Sequence, residues 1–314
     1  MEANLVIEAA RPAERTEAFR LAFQHLARGE QVGRIKTALE LVRKRELDPD
    51  GILVARQGKK LLGAMIAVVS PGASGLVWPP QVILELENRP AIEDRLAREA
   101  TQWLRGRGAK LGQAMLAPAD MHLSPPLLRN GFEHVTTLHY MRRELSDFET
   151  VVPKSLSFQP YPADPERFHD TLLRTYEGTD DCPELSGVRD IGEIIEGHRA
   201  QGMHDPANWL LARHQGEPVG VLLLTWMPEW NSWDVAYVGV LAAHRQRGFG
   251  RQLMQQAVIE AKRSQGSLLT LSVDCRNRPA WNLYTALGFE LFDEREVLLA
   301  LWTRSCTAAP SALQ

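Results

Sequence analysis

The sequence of 314 residues has few cysteines: only Cys182, Cys275 and Cys306. They are odd in number and far apart, without a CxxC pair, which excludes a disulfide framework and a thiolate zinc site and leaves reduced thiols as the expectation. No uninterrupted apolar run approaches the roughly 18 residues of a membrane helix. Glu2 and Glu8 stand near the start, where a secretory signal carries positive charge, so a cytoplasmic protein without a membrane partner is expected. Neither sign of charge is in excess: 36 basic and 39 acidic residues are interspersed, with a net charge of -3. Without a basic field, nucleic acid is not an expected partner. The nine histidines show no ligand spacing, so no metal is expected.

What is present is an ordinary globular balance, 44% hydrophobic and 24% charged, in a chain long enough for two cores. The chain also resembles itself at a constant offset of 157 residues. Leu53, Ala55 and Arg56 match Leu210, Ala212 and Arg213; Gly63 matches Gly220; Leu84 matches Leu241; Gly131, Phe132 and Glu133 match Gly288, Phe289 and Glu290. Four blocks in register without a gap indicate a duplicated domain with diverged halves. The polar segment around Pro153 reads as a linker, dividing the chain into domains 1–146 and 156–303, with linker 147–155 and a disordered tail 304–314.

Hydrophobic spacing predicts the same element order in both halves. The first half reads as a strand at 4–9, helices over 13–27 and 32–45, strands at 52–56 and 60–69, a helix at 90–105, a strand at 110–117, a short helix ending at Asn130, and a strand at 132–142. The second reads as a strand at 156–161, helices at 166–176 and 188–201, strands at 209–213, 219–226 and 235–241, a helix at 248–264, a strand at 268–274, a helix at 278–287 and a strand at 289–300. Strands interleaved with helices make each half α/β (α+β), a mixed sheet flanked by helices.

In "VAYVGVLAAHRQRGFGRQLMQQAVIEAKR" a strand runs through a tight basic turn directly into a helix. A helix beginning at Gly248 and Gly250 presents unpaired N–H groups and the positive end of its dipole, an anion site to which Arg245, Arg247 and Arg251 add charge. Neither the dinucleotide fingerprint nor the P-loop pattern is met. A second signal is Asn277-x-x-Ala280-x-x-x-Tyr284 followed by Gly288: a helix cap, then a tyrosine two turns on along one face. Asp234, at the entrance of the strand that leads to Val240, is the first candidate for a general base, and Glu229 is the next; either could equally be a solvated turn carboxylate. The acidic loop with Glu177, Asp180, Asp181 and Glu184 could receive a cationic amine or be a solvated loop, and Trp230 and Trp233 could wall its pocket or pack the second half. Cys182 has no His and acid fixed near it by sequence, so a partly buried thiol is the expectation.

Arg245-Gln246-Arg247-Gly248-Phe249-Gly250 resembles the acyl-CoA loop R/Q-x-x-G-x-G/A of the GNAT N-acetyltransferases. The preceding strand is similar to that family's V-x-P strand, with Ala242 where proline is commonest. The resemblance implies that acetyl-CoA is the cosubstrate, that Val238 and Val240 offer backbone groups to pantetheine and the thioester, that Gln246 and Phe249 complete the loop, and that Asn277 and Tyr284 face the cofactor. Tyr284 then acts as the acid for the departing thiolate, in a direct attack by the primary amine of a small molecule or peptide. The two-domain layout resembles tandem GNAT proteins, the group that includes mycothiol synthase. At the 157 offset the first half has Asn88 for Arg245, Ala91 for Gly248, Glu93 for Gly250 and Leu127 for Tyr284. That half is expected to keep a mostly antiparallel GNAT-like sheet without the cofactor chemistry. The alternative to an N-acetyltransferase is a non-catalytic acyl-CoA-binding sensor or partner-binding module.

Overall fold

The computed structural model describes residues 5–146, 155–264 and 266–302. The expected linker therefore lies almost wholly outside the described residues, and the expected tail lies entirely outside them. In the first part of the chain the strands are β1 (Leu5–Ala9), β2 (Ile52–Gln57), β3 (Lys60–Ser70), β4 (Ser74–Val77), β5 (Gln81–Val82), β6 (Leu111–Leu116) and β7 (Glu133–Glu144), and the helices are α1 (Arg15–Ala22), α2 (Arg28–Lys44), α3 (Arg89–Gly106) and α4 (Pro125–Arg129). There follow β8 (Ser157–Pro160), α5 (Pro165–Thr175), α6 (Ile191–Arg199), β9 (Trp209–His214), β10 (Glu217–Met227), β11 (Ser232–Val240), α7 (Phe249–Arg263), β12 (Leu268–Asp274), α8 (Arg278–Ala286) and β13 (Glu290–Leu301).

These form two compact units, but they do not divide where the linker was expected. One unit is Met1–Val135 with Glu296–Gln314, and the other is Thr136–Arg295. In the first, β1, β2, β3 and β4 pair antiparallel in sequence order, β4 pairs parallel with β6, and β6 pairs antiparallel with the end of β13, from Leu116↔Glu296 to Leu111↔Leu301. In the second, β8, β9, β10 and β11 pair antiparallel, β11 runs parallel to β12, and β12 pairs antiparallel with β7, from Leu268↔Glu144 to Asp274↔Leu138. The expectation that each half closes on its own final strand is thus corrected. The final strand of each half completes the sheet of the other unit, because the free edges of β6 and β12 accept any strand of matching alternation, and alternation does not name a partner.

Each sheet is covered by the apolar stripe of a long helix. On α3, Ile92, Leu96, Ala97, Ala100 and Leu104 recur at helical spacing and are fully buried. On α7 the same is true of Leu253, Met254, Ala257, Val258 and Ala261. The position of Gly250 in the repeat is filled in the first unit by Glu93, whose carboxylate accepts from Arg89 Nε at 2.6 Å, and Leu127 is buried in that unit's core. No helix among the described residues is long and apolar enough to cross a membrane.

Candidate functional site

The site of the second unit begins where two parallel strands part. β11 and β12 stay paired only from Ser232↔Leu268 to Val235↔Leu271. From Ala236 to Val240 the edge of β11 that faces away from β10 has no strand partner among the described residues, which leaves backbone groups there for a ligand. Hydrogen-bond alternation says which ones. Leu241 N–H donates to Val219 on the β10 side at 2.9 Å, so Val240 and Val238 point their N–H groups to the open side. The Val240 carbonyl, which points the same way, accepts from Arg245 Nε at 3.1 Å. Gly239 allows this strand to lie close to α5, since a Cβ there would come within 2.7 Å of the Thr175 Cβ.

The turn after β11 leads into α7. Gly248 is its N-cap at φ 79, in the left-handed region where a side chain is strained, and no side chain caps the helix. The first turn has no acidic residue either, so its amides and dipole are open to an anion. Around this turn lies a cavity of about 560 Å³, lined by Val238, Val240, Arg245, Gln246, Gly248, Phe249, Gly250, Arg251, Asn277 and Tyr284 among others. Of the expected cofactor-binding residues only Arg247 is not among those lining it. Its guanidinium lies beside His244 and over the Phe249 ring. The Phe249 side chain itself is buried in the core. Asn277 caps α8 through its Oδ1, which accepts Ala280 N–H at 3.2 Å.

Arg245 does more than contribute charge to this cavity. Its guanidinium donates to the carbonyls of Val240, Thr175, Glu177 and Gly178 at 2.5–3.1 Å. The side chain therefore ties the end of α5 and the loop after it to the α7 turn. Arg245→Met removes four carbonyl partners at once. We expect it to loosen that loop and to speed hydrogen exchange of amides 176–187 in the protein without ligand. A role limited to contacting an anion would leave that exchange unchanged.

A second cavity, of about 420 Å³, adjoins the first. Asp181, Tyr237, Val238 and Tyr284 line both. The loop that closes it is anchored at its far side by Asp274, which accepts from Cys182 N–H at 3.0 Å, and by Arg276, which is paired with both Asp274 and Glu184 at 2.7 Å. Sequence reasoning missed this Asp274–Arg276 anchor, and nothing in the spacing distinguishes it from a turn. Of the acidic loop, Asp181 and Glu177 line the second cavity, Asp180 lines the first, and Glu184 is engaged by Arg276.

Tyr284 is buried, and no hydrogen bond to its hydroxyl is present among the described residues. Burial, followed by the nearby Asp181 carboxylate, pushes its pKa above the usual range for a phenol. Burial also raises Asp181 to about 6, even though its Oδ1 accepts the Asp274 N–H at 3.1 Å. Asp234 is raised to about 6 by burial as well. It accepts the Thr270 hydroxyl at 2.6 Å and lies one residue before Val235, outside both cavities. Glu229 does not belong to the site: it is exposed in the hairpin turn 228–230, roughly 25 Å along β11 from Val240 by strand rise. Trp230, 65% exposed in the same turn, and Trp233, buried in the core, do not wall the pocket. Cys182 lines the second cavity, but burial and the two adjacent aspartates push its thiol pKa upward, away from a nucleophilic thiolate.

Residues 167–289 match the family described as Acetyltransferase (GNAT) family. Among solved structures, a GCN5-related N-acetyltransferase from Sphaerobacter thermophilus is 17% identical with a TM-score of 0.59, and 96% of each chain is covered. A tandem GNAT protein from the clavulanic acid biosynthesis pathway is 15% identical at a TM-score of 0.51, over 96% of this chain and 100% of that one. The glucosamine N-acetyltransferase region of a fungal multi-domain β-N-acetylglucosaminidase is 14% identical at 0.58, over 95% of this chain and 38% of that one. At these identities the structures speak for the fold, which is GNAT-like along nearly the whole chain. The family match falls on the stretch that builds almost all of both cavities, and it is residues 167–289, not the whole chain, that match the GNAT acetyltransferase family.

Proposed function

We propose that the second unit is an acetyl-CoA-dependent N-acetyltransferase in which a primary amine, of a small molecule or peptide, attacks the acetyl group directly. The observation that carries this reading is the meeting of two cavities at Asp181, Tyr237, Val238 and Tyr284, which lets donor and acceptor be held at once. The donor side fits acetyl-CoA: the uncapped α7 turn suits its pyrophosphate, and the free edge of β11 suits pantetheine. When bound, acetyl-CoA supplies an activated acyl group and a thiolate leaving group.

The protein's own groups supply the rest. The Val238 N–H, at the junction, donates to the carbonyl oxygen where negative charge develops. Asp181, with its pKa near 6, is ionised at neutral pH and accepts the proton that an amine of pKa about 10 must lose. Tyr284 stays protonated and donates to the departing sulfur. The protonated, buried Cys182 favours direct transfer over an acyl-cysteine route. The test is release of free CoA from acetyl-CoA over a panel of primary amines, together with thermal melting in the presence of acetyl-CoA. Amine-dependent release is expected. A melting shift without release for any amine would instead support the acyl-CoA-binding alternative.

A further inference from the structure

The acceptor cavity contains a charge that amine acetylation does not use. Arg189 lines it, just before the cap of α6, where Asp190 and Glu193 exchange side chain to backbone hydrogen bonds at 2.9 and 3.0 Å and fix the backbone. The Arg189 guanidinium makes no ion pair and no hydrogen bond among the described residues. Its Nε–H is enclosed, without an acceptor. An arginine left in this way normally finds a carboxylate. Two carboxylates, Glu177 and Asp181, line the same cavity, yet neither comes within ion-pair distance of it.

Among the described residues, Arg189 is also the only Lys or Arg that lines the cavity. His198, the one other basic side chain lining it, is buried, which lowers its pKa to about 4 and leaves it neutral. Asp181 lies at the junction with the donor cavity, whereas Arg189 lines the acceptor cavity alone. Leu138, Leu173, Leu185 and Ile194 add apolar wall.

We propose that the acceptor is an amine that also carries an oxyanion, a carboxylate or a phosphate, with the amine at Asp181, the oxyanion on the Arg189 guanidinium and a short apolar spacer between. This assignment rests on the acetyl-transfer reading and names its substrate class. A guanidinium binds either oxyanion by paired N–H groups, so the shared chemistry is an oxyanion-bearing amine, and the substrate arms tell the two apart.

The test compares matched pairs by CoA release in the full-length protein: amino carboxylates against the corresponding alkylamines, and aminoalkyl phosphates against the corresponding aminoalkanols. One anionic arm is expected to exceed its neutral partner in kcat/KM by about tenfold or more, the scale of a charge-assisted hydrogen bond, and that arm names the oxyanion. Arg189→Met is expected to remove the preference mainly through KM for the anionic amine, and Arg189→Lys to keep part of it. A melting shift with acetyl-CoA shows that each variant is folded. Neutral amines used as well as their anionic partners, or an anion preference that survives Arg189→Met, would overturn the assignment while leaving acetyl transfer intact. No release with any amine, in protein that still shifts with acetyl-CoA, would overturn the acetyl-transfer reading beneath it.

Discussion

Tyr284→Phe is expected to lower kcat by about 10²-fold or more while changing acetyl-CoA affinity by less than about threefold. The ring is packed against Phe289 in the core, with centroids 6.0 Å apart, and Phe preserves that packing, so the loss isolates the hydroxyl. The hydroxyl lies where the two cavities meet and has no hydrogen bond among the described residues, so nothing in the fold depends on it. Its pKa is raised above the usual 10, which keeps it a donor through the neutral and mildly alkaline range. Wild-type kcat should therefore show no falling limb between pH 7 and 9 from loss of this proton. Steady-state kinetics over that range decide the matter: an unchanged kcat in Tyr284→Phe would remove the residue from proton transfer.

Asp181→Asn is expected to lower kcat/KM by about 10²- to 10³-fold and to abolish a rising limb near pH 6. The sign follows from the carboxylate having to be ionised to accept a proton: activity rises with pH through about 6 and is level above it. Asp234 provides the contrast, because burial raises it to about 6 too, but it lies outside both cavities. Asp234 binds its proton more tightly folded than unfolded, so its charge costs nothing below about pH 4 and costs the full amount above about pH 6. Asp234→Asn should stabilise the protein by about 3 kcal/mol at pH 7.5 and hardly at all at pH 4, the scale set by its displacement from 3.8. Denaturant melts at the two pH values measure this. If Asp234→Asn rather than Asp181→Asn erases the limb near pH 6, the base is Asp234.

Much of this was legible in the residues. Helix starts followed from caps such as Asn277 with Pro279, and from the Gly248 turn; strand positions followed from alternation, with β12 at 268–274 as expected. The donor site was legible because amides at a helix start need glycines at fixed spacing, a one-dimensional signal. The acceptor site was not. Arg189, Arg276 and Asp181 come from a loop and a strand end about 90 residues apart, and no local spacing brings them together. Asp234 and Glu229 were chosen by nearness along the chain to Val240, but a strand carries its residues away at about 3.3 Å each. Arg245 was read as a phosphate ligand because charge at a turn is visible in sequence, whereas carbonyl partners around Gly178 are visible only in three dimensions.

The placement of β7 and β13 bears on how this protein can be taken apart. A single cleavage between β7 and β8 would not free an acetyltransferase from its companion. The N-terminal fragment would carry away the strand that covers β12, and the C-terminal fragment would keep the strand that covers β6. Each product would expose a bare strand edge of the kind that promotes aggregation. Neither half can therefore be lost, swapped or transplanted as an independent cassette without redrawing the chain.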